Sequence, residues 1–390
     1  MDQELIGKYE DRFTQVADQF RQILKDRPNS GAGLSIWKDG KCVVDLYGGY
    51  SDFTTRTLWA SNTPTVIFSS TKGITSILVA KLFQDKLLDY EESVTTYWPE
   101  YGVGASKSAL VKHLLSHRAG LPILKDGVST EQVLNWKYMI KRLESESPIW
   151  EPGTNYFYHS ITHGWLAGEL IFRLTGISPG QYLQSVASIP LNLECWIGIP
   201  QDFQSRVANL YTTESLRNFF IDLELSNTLI AELMIQSLTL GHAFPDVLVG
   251  PDIGFNDPRV QAAEILGAGG ISTANSLAKL WSATVVETEG VRLLNDETIE
   301  IVTKTQSEGT PYGSGPPPYS RFGMGFQLDS DARRYLSDRS FGHDGAGGQC
   351  SFADPVHKIG FAFVTNEMDG STDLRATSLI DSLKACLVSY

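Results

Sequence analysis

The chain has 390 residues, 42% of them hydrophobic and 20% charged, a globular balance that excludes intrinsic disorder. A net charge of −13 repels phosphate backbones, so no nucleic-acid partner is expected. No apolar run has the roughly 18 residues of a membrane span, the charged amino terminus lacks a signal-like apolar core, and Cys42, Cys195, Cys350 and Cys386 form no C-x-x-C. The expectation is a cytoplasmic protein with free thiols, no metal and no cofactor.

Apolar positions Ile6, Phe13, Val16, Phe20, Ile23 and Leu24 predict an amphipathic helix over residues 3–27, stopped at Pro28-Asn29-Ser30-Gly31. Strands are expected at Gly33–Lys38 and Lys41–Gly49, with Asp39-Gly40 as a tight hairpin turn. A polar loop and the apolar approach Thr65–Phe68 lead into a helix beginning near Ser69. From about 89 to 258 the chain reads as mostly helical, with helix-like patterns at Leu110–His117, His163–Leu174 and 222–240 and a loop at Gly241–Gly254. Residues 275–286 form another helical pattern, and Gly309–Pro318 is a Gly/Pro-rich loop suited to edge a site. Strands return at Gly325–Leu328, Gly348–Phe352 and Ile359–Val364, and a helix over Asp373–Leu387 closes the chain. Strands at both ends with helices between predict an α/β fold: residues 1–88 and 259–390 form one unit around a single sheet, and 89–258 are an inserted helical lobe.

Ser69-Ser70-Thr71-Lys72 read as S-x-x-K. On a helix, residues three apart share a face, so the Ser69 hydroxyl and the Lys72 amine can meet without tertiary help. Serine needs an adjacent base to act as a nucleophile, and lysine becomes one when burial lowers its pKa. The same letters also fit a helix cap followed by a solvated lysine, so the pair needs partners. Tyr158 and Ser160, two apart before the helix-like Trp165–Ile171, can point into one cleft, with Tyr156 competing. A tyrosine beside a lysine ammonium is expected to have a lowered pKa. Phe341-Gly342-His343-Asp344-Gly345-Ala346-Gly347-Gly348 lets backbone approach a ligand, and such a strand edge can offer an N–H to an oxyanion. Gly176-Ile177-Ser178-Pro179-Gly180 fits G-x-S-x-G, but a helical pattern precedes it, and Ser178-Pro179 reads as a helix start. His113 and His117 read as backbone-bonding residues, and His159 as pointing away from the cleft.

With these three elements in order, the chain resembles the serine β-lactamase and penicillin-binding-protein superfamily, and more closely its esterase branch, the family VIII carboxylesterases. The likeness covers residues 30–385 and includes Asp45-Leu46-Tyr47-Gly48-Gly49, Tyr97-Trp98-Pro99-Glu100, the run His113 to Pro122, Phe255-Asn256-Asp257-Pro258 and Ala353-Asp354-Pro355. The resemblance implies a mainly antiparallel sheet flanked by helices, an inserted helical lobe and a cleft between them. It implies Ser69 as the acylated nucleophile, Lys72 and Tyr158 as proton-transfer groups, and the N–H groups of Ser69 and Ala346 as the oxyanion hole. Ser160, His343 and Gly345 then fall at substrate-binding positions. Ser160 stands where β-lactamases usually have asparagine, and His343 replaces a lysine that helps hold a β-lactam carboxylate, so neutral esters are favoured over lactams.

The expected activity is therefore a serine carboxylesterase acting on a small-molecule ester or acyl substrate. An acyltransferase of secondary metabolism using the same acyl-serine is the alternative. β-Lactamase or peptidase activity and a non-catalytic scaffold follow behind. The sequence leaves the oligomeric state and the physiological acyl group open.

Overall fold

The first described element is a strand, β1 (Ile6–Tyr9), in place of the helix expected from residue 3. Ile6 pairs with Tyr47 and Tyr9 with Val44. That pairing is set by a distant strand, which local periodicity cannot see. The apolar spacing holds from Val16 onward, where helix α1 (Thr14–Asp26) buries Val16, Phe20, Ile23 and Leu24. In this computed structural model residues 5–102, 107–245, 248–250, 254–370 and 373–388 are described. Parts of the loop expected at Gly241–Gly254 lie outside them.

Strands β2 (Gly31–Lys38) and β3 (Lys41–Asp52) form the expected hairpin. Asp39 at φ 51° and Gly40 at φ 76° both take the left-handed backbone that such a two-residue turn needs. Helix α2 (Ser70–Gln84) follows, then α3 (Thr162–Thr175), α4 (Glu214–Leu225), α5 (Leu229–Thr239) and α6 (Ala274–Val285). The pattern over 222–240 is thus two helices. The break falls where Asn227 turns left-handed at φ 48° and the Thr228 side chain accepts from the Ala231 N–H. Strands β4 (Arg321–Phe322), β5 (Gln327–Leu328), β6 (Phe341–Gly345), β7 (Gln349–Asp354) and β8 (Ile359–Thr365) precede the last helix, α7 (Arg375–Val388).

These strands form one sheet in the order β1-β3-β2-β8-β7-β6-β5-β4, antiparallel at each pairing. The central strand β8 is buried along its whole length. Phe361 and Phe363 join Phe20, Leu24, Leu379 and Leu383 in the core beneath α1 and α7. Ala362 and Val364 face the other way, into the core shared with α2 and α6. Gly360 lets α6 sit directly on the sheet, since a Cβ there would lie 2.2 Å from the Ala278 carbonyl oxygen. The result is three layers, with α2 in the middle of the molecule. Residues 70–80 of that helix are all buried, as expected for a helix covered on every side. Among the described residues no helix is long and apolar enough to cross a membrane.

Candidate active site

The site begins at a strained corner. Thr65 and Val66 pair with Ser272 and Ile271, and Phe68 then turns left-handed at φ 45°. A bulky residue rarely adopts that backbone and needs firm support. Here the buried Phe68 ring packs edge-on against Phe255 at 5.1 Å. Ser69 comes next, half-buried at the head of α2, and its side chain makes no capping bond. The hydroxyl instead faces Lys72, with 3.0 Å between Ser69 Oγ and Lys72 Nζ. Lys72 is fully buried, and its amine donates to the carbonyls of Ser160 and Gly267, each at 2.6 Å. Burial pushes its pKa well below the ordinary lysine value.

Tyr158 lies over this amine, with Nζ 4.8 Å from the ring centroid. The expected lowering of its pKa is corrected. Burial raises the phenol, and the hydrogen bond to Ser69 only partly offsets this. The ammonium invoked to stabilise a phenolate is itself disfavoured by the same burial. Tyr158 therefore stands here as a protonated phenol. The competing Tyr156 donates its hydroxyl to the Gly309 carbonyl and is thereby tied to the 309–318 loop. Ser160 lines the cleft, is anchored through its N–H on Ser237 Oγ at 2.9 Å, and reaches Lys72 with its carbonyl.

The glycine-rich strand β6 closes the site from the sheet. Ser70 Oγ donates to the His343 carbonyl at 2.9 Å and ties β6 to α2. Gly345 passes so close to the corner before Ser69 that a Cβ would sit 2.2 Å from the Ile67 carbonyl oxygen. Beyond Ala346, Gly347 and Gly348 turn at φ 80° and 104°. The buried Arg375 donates to the Gly347 carbonyl at 2.8 Å and to that of Glu367 at 2.9 Å. His343 donates from Nδ1 to the Asp344 carbonyl at 2.7 Å, and burial pulls its pKa down to about 3. It is thus a neutral ring. Asp344 is neutralised by Arg333, whose Nε lies 2.5 Å from Oδ2.

Ser69, Tyr158, Ser160, His343, Gly345 and Ala346 all border one cleft of about 510 Å³. Its outer wall is apolar, built from Ile230, Met234 and Leu238 of α5 and from Pro311, Pro316 and Pro318 of the proline-rich loop. Sequence reasoning missed these α5 residues, the two carbonyls that hold Lys72, and Arg375. None sits at a motif-like spacing. A second hollow of about 630 Å³ lies by Lys125, Asp126, Glu224 and His242, and no serine or cysteine borders it among the described residues. Ser178 is a helix start: its Oγ accepts from the Gln181 N–H and donates to Glu264 at 2.6 Å. Among the described residues no cluster of His, Cys, Asp or Glu has the grouping of a metal site.

Sheet, helices and serine–lysine corner together define the class, a β-lactamase-like fold. The Beta-lactamase family model matches residues 16–384, and the chain belongs to that family. It is 26% identical over 377 residues to the esterase/beta-lactamase LipL of Mycobacterium tuberculosis, covering 93% of this chain and 83% of that one. A crystal structure of a family VIII carboxylesterase superposes with a TM-score of 0.86 at 28% identity, over 98% of this chain and 100% of that one. A penicillin-binding-protein homologue from Caulobacter crescentus gives 0.83 at 27% identity, again over 98% and 100%. The family to which the chain belongs thus includes esterases and other hydrolases of the β-lactamase fold.

Proposed function

We propose that the protein hydrolyses neutral carboxylic esters through an acyl-enzyme on Ser69. One observation carries this reading. Lys72 is fully buried, donates to two carbonyls, and lies 3.0 Å from the Ser69 hydroxyl. A neutral amine has two N–H donors and one lone pair. With both donors on the Ser160 and Gly267 carbonyls, the lone pair is left to take the serine proton.

Ser69 Oγ attacks the ester carbonyl while its proton moves to Lys72. The N–H groups of Ser69 and Ala346 are the proposed donors to the tetrahedral oxyanion. The Tyr158 phenol gives its proton to the departing alkoxide and regains one from Lys72. Water then attacks the acyl-serine, the same two groups carry its proton to the departing Ser69 Oγ, and the acid leaves with the free serine restored. The apolar wall from α5 and the proline-rich loop, the neutral His343 and the Arg333-paired Asp344 support an uncharged acyl group.

The test is turnover of p-nitrophenyl butyrate with product analysis in the presence of an added alcohol. Free butyrate as the main product is expected. Preferential transfer to the alcohol at low acceptor concentration would contradict hydrolysis and point to an acyltransferase using the same serine.

A further inference from the structure

His117 has no place in the mechanism above, yet it grips the Tyr158 segment at three successive residues. Its carbonyl accepts from the Phe157 N–H at 3.1 Å. Its ring lies against the Tyr158 ring with centroids 4.7 Å apart. Its Nδ1 accepts from the His159 N–H at 3.2 Å. The three contacts come from one residue whose backbone is left-handed, at φ 63°. The ring is completely buried, packed also on Phe322 at 4.7 Å and His163 at 5.0 Å. Since Nδ1 accepts a backbone N–H, the neutral ring carries its proton on Nε2, which is buried and has no hydrogen-bond partner among the described residues.

We infer that His117 is the positioning residue for Tyr158: it fixes the phenol over Lys72 and Ser69 by clamping residues 157–159 in one register. This rests on the reading of Tyr158 as a proton-transfer group at Ser69. One left-handed residue thus holds three successive residues of the Tyr158 segment at once, by carbonyl, ring face and Nδ1. Small displacements of a proton-transfer group slow chemistry while leaving substrate binding intact.

The test compares wild type, H117G, H117N, Y158F and H117G/Y158F with p-nitrophenyl butyrate, folding being checked by thermal melting. Glycine accepts the left-handed backbone and removes ring and acceptor together. Asparagine tolerates that backbone and returns an oxygen to the His159 N–H. H117G is expected to lower kcat about 10- to 100-fold with KM within about 2-fold, and to cost under about 3-fold more in the Y158F background, because it acts through Tyr158. H117N should return kcat to within about 5-fold of wild type. Wild-type kcat in H117G, an H117N as slow as H117G, or losses that multiply in the double variant would overturn the inference. Should H117G not fold, nitrogen-15 histidine spectra of the wild type decide. The signal lost in H117N is expected to be a ring with bare Nδ1 and protonated Nε2, and a proton on Nδ1 would overturn the clamp. Fluorophosphonate labelling of wild-type Ser69, run alongside, separates failure of this inference from failure of the serine reading.

Discussion

At the scale of single residues, burial without an opposite charge organises the site. Lys72 has no carboxylate among its hydrogen-bond partners in the described residues, so desolvation pulls its pKa down with no opposite charge to offset it. Ser69→Ala is expected to lower turnover by about 10⁴-fold or more while the melting temperature stays near wild type, read by ester hydrolysis and thermal unfolding. Tyr158→Phe removes the proposed proton donor and leaves the proposed nucleophile in place, and should cost about 10²–10³-fold in kcat. An unchanged rate would move the proton-transfer role to Lys72 alone. The serine–lysine pair was legible because residues three apart on a helix meet by local geometry. The direction of the tyrosine pKa was not legible, because desolvation depends on residues brought from Phe322, His117 and His343.

At the scale of elements, β6 and β8 divide the work of site and core. Gly345→Ala puts a Cβ against the Ile67 carbonyl oxygen and pushes β6 off the corner before Ser69. Activity should fall at least about tenfold, with the larger effect on kcat. Phe361→Ala empties a fully buried position on the far face of the sheet. It should cost about 3–5 kcal/mol in denaturant unfolding while leaving KM of the folded protein unchanged. The β2–β3 hairpin could be read from Asp39-Gly40, because a two-residue turn writes its own signature. The strand β1 and the break between α4 and α5 could not. One is created by its partner β3, and the other by a left-handed Asn227 followed by the Thr228 cap inside what reads as one helical pattern.

At the scale of the whole molecule, an unusual number of imidazoles is buried. Desolvation lowers His113 to about 4 and His159 and His343 to about 3, and takes His117 and His163 well below the ordinary value. Unfolded, these rings take up protons near pH 6.5. Their contribution to stability is thus complete above about pH 6.5 and is lost as pH falls toward the folded values, at about 1.4 kcal/mol per pH unit for each ring titrating only when unfolded. Asp45, raised by burial, opposes this at the acid end. Denaturation midpoints should therefore fall between about pH 6.5 and 5, before carboxylates with depressed folded values such as Asp52 add their own loss as pH falls further. A flat profile across that window would show the imidazoles to be hydrated. The central claim is that Ser69 is the one activated serine in this chain, and intact-protein mass spectrometry after fluorophosphonate treatment tests it most directly. A single adduct that maps to Ser69 and is absent from Ser69→Ala is expected. An adduct on Ser178, or ester turnover with Ser69 unlabelled, would contradict it.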